Sequence, residues 1–263
     1  MLKIGEGRTA DIYDIGKGKI LKLYKIGFPK QAIDEEYLNS QYVYALGAAA
    51  PEPYERVENG ERYGIVFQKV DGTTVLQQIV NDPPNIEQYA YMLAETHVQL
   101  HQMSADRMER KQKAALAQQI AKTNRLTRAE KDAVRGHLER LPDGMQLCHG
   151  DYHPGNVIAG RKSWVIDWMS GMSGHPCGDV ARTWLLLTFG TVPDEMPEKE
   201  GKQLNLMRRR LTEIYLNNYV KLSGATQSGI EEWLLPMAAA RLDEWIPEAE
   251  LNTLTAFVQG RLR

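Results

Sequence analysis

Cys148-His149-Gly150-Asp151-Tyr152-His153-Pro154-Gly155-Asn156-Val157-Ile158, followed by Trp164-Val165-Ile166-Asp167-Trp168, is the stretch that decides how this chain folds. It carries two acids and an amide, Asp151, Asn156 and Asp167, on short loops between apolar strand segments. Val157-Ile158 and Val165-Ile166 are expected to pair as a buried hairpin around Gly160-Arg161-Lys162, which brings Asn156 and Asp167 to the same end of it. Oxygen ligands so placed suit a hard cation such as Mg²⁺, which takes one or two carboxylates together with water and phosphate oxygens. Asp151, earlier on the loop, is then free to orient a hydroxyl and accept its proton. Each of these residue types is also a common turn former. It is their order between apolar strands that turn chemistry alone does not explain.

Upstream of this stretch the pattern is strand-rich, then helical. Ala10–Ile15 alternates polar and apolar as a half-buried strand does, Gly16-Lys17-Gly18-Lys19 reads as a hairpin turn, and Ile20–Tyr24 is the next strand. Residues 30–46 take helical spacing and end at Gly47. Pro51-Glu52-Pro53 is extended, and a second hairpin turns at Asn59-Gly60. After Gly72 the period becomes helical, with Ile86, Tyr89, Ala90, Leu93, His97, Leu100 and His101 on one face. A further helical stretch over 107–141 breaks near Leu126, where Thr127-Arg128-Ala129-Glu130 has the form of a capping box. Beyond Trp168, helices are expected around 180–189, 202–222, 230–240 and 248–262. The composition shift near residue 70 divides the chain into a small strand-rich lobe, 1–70, and a larger helical one, 71–263.

His149-Gly150-Asp151, then Asn156, then Ile166-Asp167-Trp168 resembles the catalytic segment of the aminoglycoside phosphotransferase and choline kinase-like family, small-molecule relatives of the protein kinases. The resemblance implies an α+β, bilobal, protein kinase-like fold and an ATP-dependent phosphotransferase that uses Mg²⁺. In that reading Asp151 is the catalytic base, and Asn156 and Asp167 hold the metal. Gly5-Glu6-Gly7 looks like the family's phosphate-covering loop, whose glycines let backbone approach phosphate oxygens. Lys22 would contact the α- and β-phosphates of ATP or another nucleoside triphosphate, with Glu36 as its helix partner and Glu35 as the fallback. The Gln68 carbonyl and the Val70 amide would bond a purine, with Phe67 behind it. Asp179 resembles the buried aspartate that braces the catalytic loop, and it is equally placed to be a helix N-cap. The matches span residues 5–179.

Composition narrows the remaining classes. The 263 residues hold 32 Lys+Arg and 34 Asp+Glu, so the formal net charge of -2 argues against a general nucleic-acid binder. No apolar run reaches membrane-spanning length, and the first residues do not read as a signal peptide. Two cysteines are too few for a disulfide framework and suggest a reducing, cytoplasmic setting. Two other readings remain. His149, Asp151 and His153 form a His-x-Asp-x-His run that could bind Zn²⁺ for hydrolysis. A kinase-fold module could also hold nucleotide without transferring phosphate. A protein kinase is disfavoured by His-Gly-Asp in place of His-Arg-Asp and by the lack of an Ala-Pro-Glu motif. His97 and His101 lie four apart on a helix, with no acid close in sequence to complete a metal set, and read as packing residues. The resemblance implies that the acceptor is a small-molecule hydroxyl. The same resemblance implies that acids of the C-terminal segment, Asp243 and Glu244 above all, would bind a polycationic acceptor, whereas Glu248 and Glu250 are expected to complement a helix dipole.

Overall fold

Ile20-Leu21-Lys22-Leu23-Tyr24 alternates faces, and that alternation organises the first part of the protein. The computed structural model describes residues 1–190 and 197–263. It divides into two compact units, Met1–Val80 with Pro154–Gly171, and Asn81–His153 with Met172–Arg263.

The first unit is built on a five-stranded antiparallel sheet of β1 (Leu2–Glu6), β2 (Ala10–Gly16), β3 (Lys19–Tyr24), β4 (Pro53–Asn59) and β5 (Arg62–Gln68) in the order β1-β2-β3-β5-β4. Helix α1 (Lys30–Ala45) covers one face, where Ile33 packs with Ala10, Tyr24 and Ile65. Leu21, Leu23 and Val66 form a second cluster with Tyr13, Tyr54 and Val57. One strand therefore supplies apolar anchors to both clusters, while Lys22 lies on the same side of β3 as Tyr24.

A smaller sheet joins this unit from later in the chain. It contains β6 (Thr73–Thr74), β8 (Val157–Ala159) and β9 (Ser163–Val165), in that order; β7 (Gln146–Cys148) lies in the second unit. The β8–β9 hairpin pairs Val157 with Val165, and Val165 N–H donates to the Ala49 carbonyl at 2.7 Å. Two glycines let the strands meet. A Cβ on Gly72 would lie 2.3 Å from the Ala159 carbonyl oxygen, and one on Gly160 would lie 2.4 Å from that of Asp71. Side chains at either position would push the backbones apart. This crossing is why the units do not follow chain order, whereas the division expected at residue 70 does. Helix α2 (Val75–Asn81) follows β6 and buries Val75 and Ile79.

The second unit is mainly helical. It comprises α3 (Ile86–His101), α4 (Gln112–Lys122), α5 (Arg128–Arg140), the strand pair β7 (Gln146–Cys148) and β10 (Met172–Gly174), and α6 (Pro176–Phe189), α7 (Glu198–Ser223), α8 (Gln227–Arg241) and α9 (Glu248–Arg261). Thr127 and Glu130 form the expected capping box at the start of α5. The helix expected from residue 107 begins instead at Gln112. The backbone before it is used elsewhere: Met103 O accepts from Leu147 N–H at 3.0 Å, and Arg110 O accepts from Ser173 N–H at 2.9 Å. That segment flanks the β7–β10 pair and is not available for helical hydrogen bonds.

Asp179, in the first turn of α6, is fully enclosed and accepts four hydrogen bonds. Its Oδ2 takes the His149 N–H at 2.6 Å, and its Oδ1 takes the Gly150 N–H at 2.8 Å. The Nε2 atoms of His97 and His101 lie 3.0 and 3.3 Å from Oδ2. The hydroxyls of Tyr215 and Tyr219, on α7, bond the Nδ1 atoms of the same two rings at 2.6 and 2.7 Å. Donation from each tyrosine to Nδ1 leaves each Nε2–H to donate to the carboxylate, so neutral histidines satisfy the network. The N-cap of α6 is His175, whose ring accepts from Cys177 N–H, and not Asp179. The carboxylate instead ties the chain before Asp151 to α3 and, through the rings, to α7.

Burial opposes ionisation of Asp179, but the hydrogen bonds from His101 and His97 outweigh it and hold the carboxyl well below its ordinary range. Asp179→Asn leaves one acceptor oxygen where two served and sets an NH₂ group against donors. It should lower stability by on the order of 3 kcal/mol, read from urea denaturation midpoints. Burial, and next the neighbouring His101, push His97 down to about 3. Unfolded, His97 titrates near 6.5, so between those values the unfolded chain binds the additional proton. Stability should therefore fall as pH is lowered from about 6.5 toward 3, with a shallower slope in His97→Gln, measured as urea midpoints across that window.

Candidate active site

Lys22 and Glu36 come from different elements of the first unit and meet because β3 turns Lys22 toward α1. Lys22 Nζ lies 2.6 Å from Glu36 Oε1 and 3.0 Å from Asp167 Oδ1. The Tyr24 hydroxyl donates to the other oxygen of Glu36. Lys22 and Glu36 are both buried, while the Asp167 carboxylate remains 38% exposed. Burial works against the ammonium, but the charges of Asp167 and Glu36 outweigh it and keep Lys22 protonated above the ordinary lysine range. Glu35 instead accepts from Gln31 at 2.9 Å on the exposed side of α1.

Asp167 stands at φ +67°, a left-handed conformation that is uncommon outside glycine. Asp is among the residues that tolerate it, at a cost of roughly 1–2 kcal/mol. Neighbouring bonds hold it there: Trp168 Nε1 donates to Val165 O at 3.0 Å, and Asn39 on α1 donates to Trp168 O at 3.2 Å. Ile166 N–H donates to Asn156 O at 3.0 Å, so the hairpin returns Asp167 to the neighbourhood of Asn156. A carboxylate and an amide oxygen at one hairpin end match the donor set a Mg²⁺ ion uses, and the partly exposed carboxylate leaves room for one.

Gly5 lies opposite Ile12 in the β1–β2 pair, and Gly7 N–H donates to Ala10 O at 2.8 Å to close the turn. The fold requires neither residue to be glycine. A Cβ on Gly5 would meet Ile12 at 3.6 Å, and one on Gly7 would meet Ala10 O at 3.5 Å, both ordinary contacts. Gly5 and Gly7 thus leave open backbone at a turn that needs no such opening for its own sake. Gln68 ends β5, its N–H donating to Glu52 O at 2.8 Å, and Val70 follows the strand half-buried.

Asp151 lies in the second unit. Arg182 Nη2 is 3.7 Å from its Oδ1, and His153 Nε2 is 3.7 Å from its Oδ2. Its own N–H donates to His149 Nδ1 at 3.2 Å. Burial would raise its pKa, but the adjoining His153, the Arg182 charge and His149 hold it well below the usual carboxylate range. Tyr152 fixes the loop on its other side. Its hydroxyl donates to Leu93 O at 2.8 Å, its carbonyl accepts from Thr183 at 2.9 Å, and its ring stacks on His97 with centroids 3.9 Å apart.

The zinc reading of His149, Asp151 and His153 does not hold. His149 is fully buried, its Nδ1 is occupied by the Asp151 amide, and the ligand atoms of the three side chains do not come together within 4.8 Å of one another. The cluster of histidines and acids that does form among the described residues is His97, His101 and Asp179. The acid that completes it comes from far along the chain, and hydrogen bonds fill its ring nitrogens and carboxylate oxygens. Three of the C-terminal acids are committed to arginines: Glu244 to Arg182 and Arg241, Glu248 to Arg125, and Glu250 to Arg241, while Asp243 is exposed. Sequence reasoning overlooked Tyr24, Asn39 and Arg182. The first two carried a usable signal, since Tyr24 shares a strand face with Lys22 and Asn39 lies one helical turn beyond Glu36.

By sequence the chain matches the phosphotransferase enzyme family over residues 1–213. No curated protein sequence matches it. Among solved structures it is similar to a thermostable mutant of aminoglycoside phosphotransferase APH(4)-Ia in ternary complex with AMP-PNP and hygromycin B. That likeness has TM-score 0.65 and 16% identity, covering 99% of this chain and 90% of that one. It is also similar to APH(2")-IIa in its ternary complex with streptomycin and ATP, with TM-score 0.58, 16% identity and coverage of 98% and 90%. A choline/ethanolamine kinase family protein from Mesorhizobium loti aligns with TM-score 0.52, 17% identity and coverage of 97% and 82%. At such identities these likenesses speak to the fold, an α+β kinase-like one with a strand-rich unit and a mainly helical unit. The family match, which spans most of the chain, speaks to the chemistry: this is an enzyme of the phosphotransferase family.

Proposed function

We propose that this enzyme is a small-molecule kinase that moves the γ-phosphoryl group of ATP to a hydroxyl group of a small acceptor in a cytoplasmic setting. The observation that carries the reading is the buried Lys22 ammonium held at once by Glu36 at 2.6 Å and Asp167 at 3.0 Å. A lysine fixed between two carboxylates is a rigid cation, and its position is set before any phosphate arrives. Lys22 would meet the α- and β-phosphates, the turn at Gly5 and Gly7 would offer backbone N–H groups to phosphate oxygens, and Gln68 and Val70 would present main-chain groups to the base. Asn156 and Asp167 would hold Mg²⁺, which supplies charge neutralisation at the phosphates.

Asp151 would accept the acceptor's O–H as a hydrogen bond and aim its oxygen at the γ-phosphorus. The new bond forms from that oxygen to phosphorus as the bridging bond to the β-phosphate breaks and ADP leaves. The transition state is loose, so the hydroxyl proton is released late and orientation matters more than basicity. A carboxylate whose pKa is depressed fits that role: it is a weak base, yet it is fully ionised and ready to accept at neutral pH. Positioning and electrostatics supply most of the rate.

The acceptor is to be found by an ATP-consumption screen over aminoglycosides, amino alcohols and sugars, in which at least one hydroxyl compound should stimulate ADP release. Complete silence across all three classes, with ATP bound, would favour the non-catalytic module. Asp151→Asn should lower turnover by about 10³-fold or more while ATP binding measured by calorimetry persists. Asp167→Ala should abolish Mg²⁺-dependent turnover, and unchanged activity in that variant would remove Asp167 from the assignment. Lys22→Ala should raise the ATP concentration needed for half-maximal rate and lower kcat together, since the same cation serves bound substrate and transition state.

A further inference from the structure

We propose that Arg182 is a positioning residue for Asp151, held in its pose by a partly buried row of charges that runs through Glu244 and Arg241 to Glu250 near the start of α9. The inference deepens the kinase reading and rests on Asp151 as the group that orients the acceptor.

Arg182, on α6, is 11% exposed at its side chain and makes a different contact at each nitrogen. Nε donates to the Gly150 carbonyl at 3.2 Å, just before the carboxylate. Nη1 lies 2.7 Å from Glu244 Oε1, and Nη2 donates to Glu244 Oε2 at 2.9 Å. The same Nη2 stands 3.7 Å from Asp151 Oδ1. That distance is too long for a hydrogen bond and short enough for a strong charge interaction in a partly buried site. One planar fork thus grips the backbone on one side of Asp151 and faces its side chain.

The fork cannot rotate freely, because Glu244 takes it bidentately. Glu244 is fixed in turn by Arg241 Nη1 at 2.8 Å, and Arg241 by Glu250 Oε1 at 2.8 Å from Nε and 2.5 Å from Nη2. Arg241 and Glu250 are 7% and 3% exposed at their side chains. Asp151, Arg182, Glu244, Arg241 and Glu250 alternate in sign, so each charge is met by its neighbours. His153 and His149 also face Asp151 among the described residues. Glu244, a natural choice for gripping a cationic acceptor, is engaged by two arginines and so serves the catalytic loop.

The test uses ATP turnover with water as the acceptor in the full chain, with kcat and KM for ATP measured separately and ATP–Mg²⁺ affinity measured by calorimetry. Arg182→Ala should lower kcat on the order of 10²-fold, with KM and affinity changed less than about twofold and part of kcat restored by millimolar guanidinium. Arg182→Lys should retain more activity than Arg182→Ala. Glu244→Gln should lower kcat by a smaller factor, and adding it to Arg182→Ala should lower kcat no further, because Glu244 acts through Arg182. Unchanged kcat in Arg182→Ala, additive losses in the double variant, or loss of ATP affinity in step with kcat would overturn the proposal. If Arg182→Ala does not fold, Arg182→Lys carries the test: kcat down about tenfold with ATP affinity kept supports it, and unchanged kcat overturns it. Failure of the underlying reading looks different, since Asp151→Asn would then leave turnover intact.

Discussion

A carboxylate removed from water must have its charge met by hydrogen bonds or by a cation, and each unit of this protein is arranged around one such group. In the second unit it is Asp179, whose two oxygens take two consecutive backbone N–H groups and two histidines. In the first it is Glu36, which takes Lys22 and the Tyr24 hydroxyl. Neither charge is there for stability alone, since an apolar replacement of equal shape often packs as well. Each fixes a neighbouring polar group: Asp179 sets the backbone leading into Asp151, and Glu36 sets the ammonium that reaches Asp167.

The two centres differ in how they are reinforced. Around Asp179 the partners are neutral and ordered in a chain, tyrosine to histidine to carboxylate, so the network is directional and depends on each tautomer. Around Lys22 the partners are charges, and direction matters less than distance. The first arrangement suits a loop that must keep one conformation. The second would suit the phosphate contact proposed for Lys22, because an ammonium can exchange a carboxylate oxygen for a phosphate oxygen with little geometric penalty.

Local pattern in the sequence was enough for much of this. Alternation and paired glycines locate the β2–β3 hairpin, Asn59-Gly60 locates the next one, and Thr127-Arg128-Ala129-Glu130 marks the capping box of α5. The family resemblance favours Glu36 over Glu35, and the structure sets Glu36 against Lys22. Pairings between distant residues were not legible. Nothing near His97 and His101 in sequence announces Asp179, so the two histidines read as packing alone and Asp179 as a possible cap. The helix expected from residue 107 was lost to backbone bonds around β7 and β10, and Glu244 looked free because its arginines lie on α6 and α8. A period reports which face a residue takes on its own element, but not which other element comes to meet it.

The glycine crossing between Asp71-Gly72 and Ala159-Gly160 bears on how the protein is made. The first unit lacks its small sheet, and the aspartate that pairs with Lys22, until the ribosome has released residues through Gly171. At ~5–20 residues per second, several seconds separate the emergence of Val80 from that of the returning hairpin. During that interval the nascent sheet holds a buried-type lysine with one counter-charge missing and a strand edge at Thr73-Thr74 awaiting its partner. The segment that completes the first unit is therefore made well after the sheet it joins.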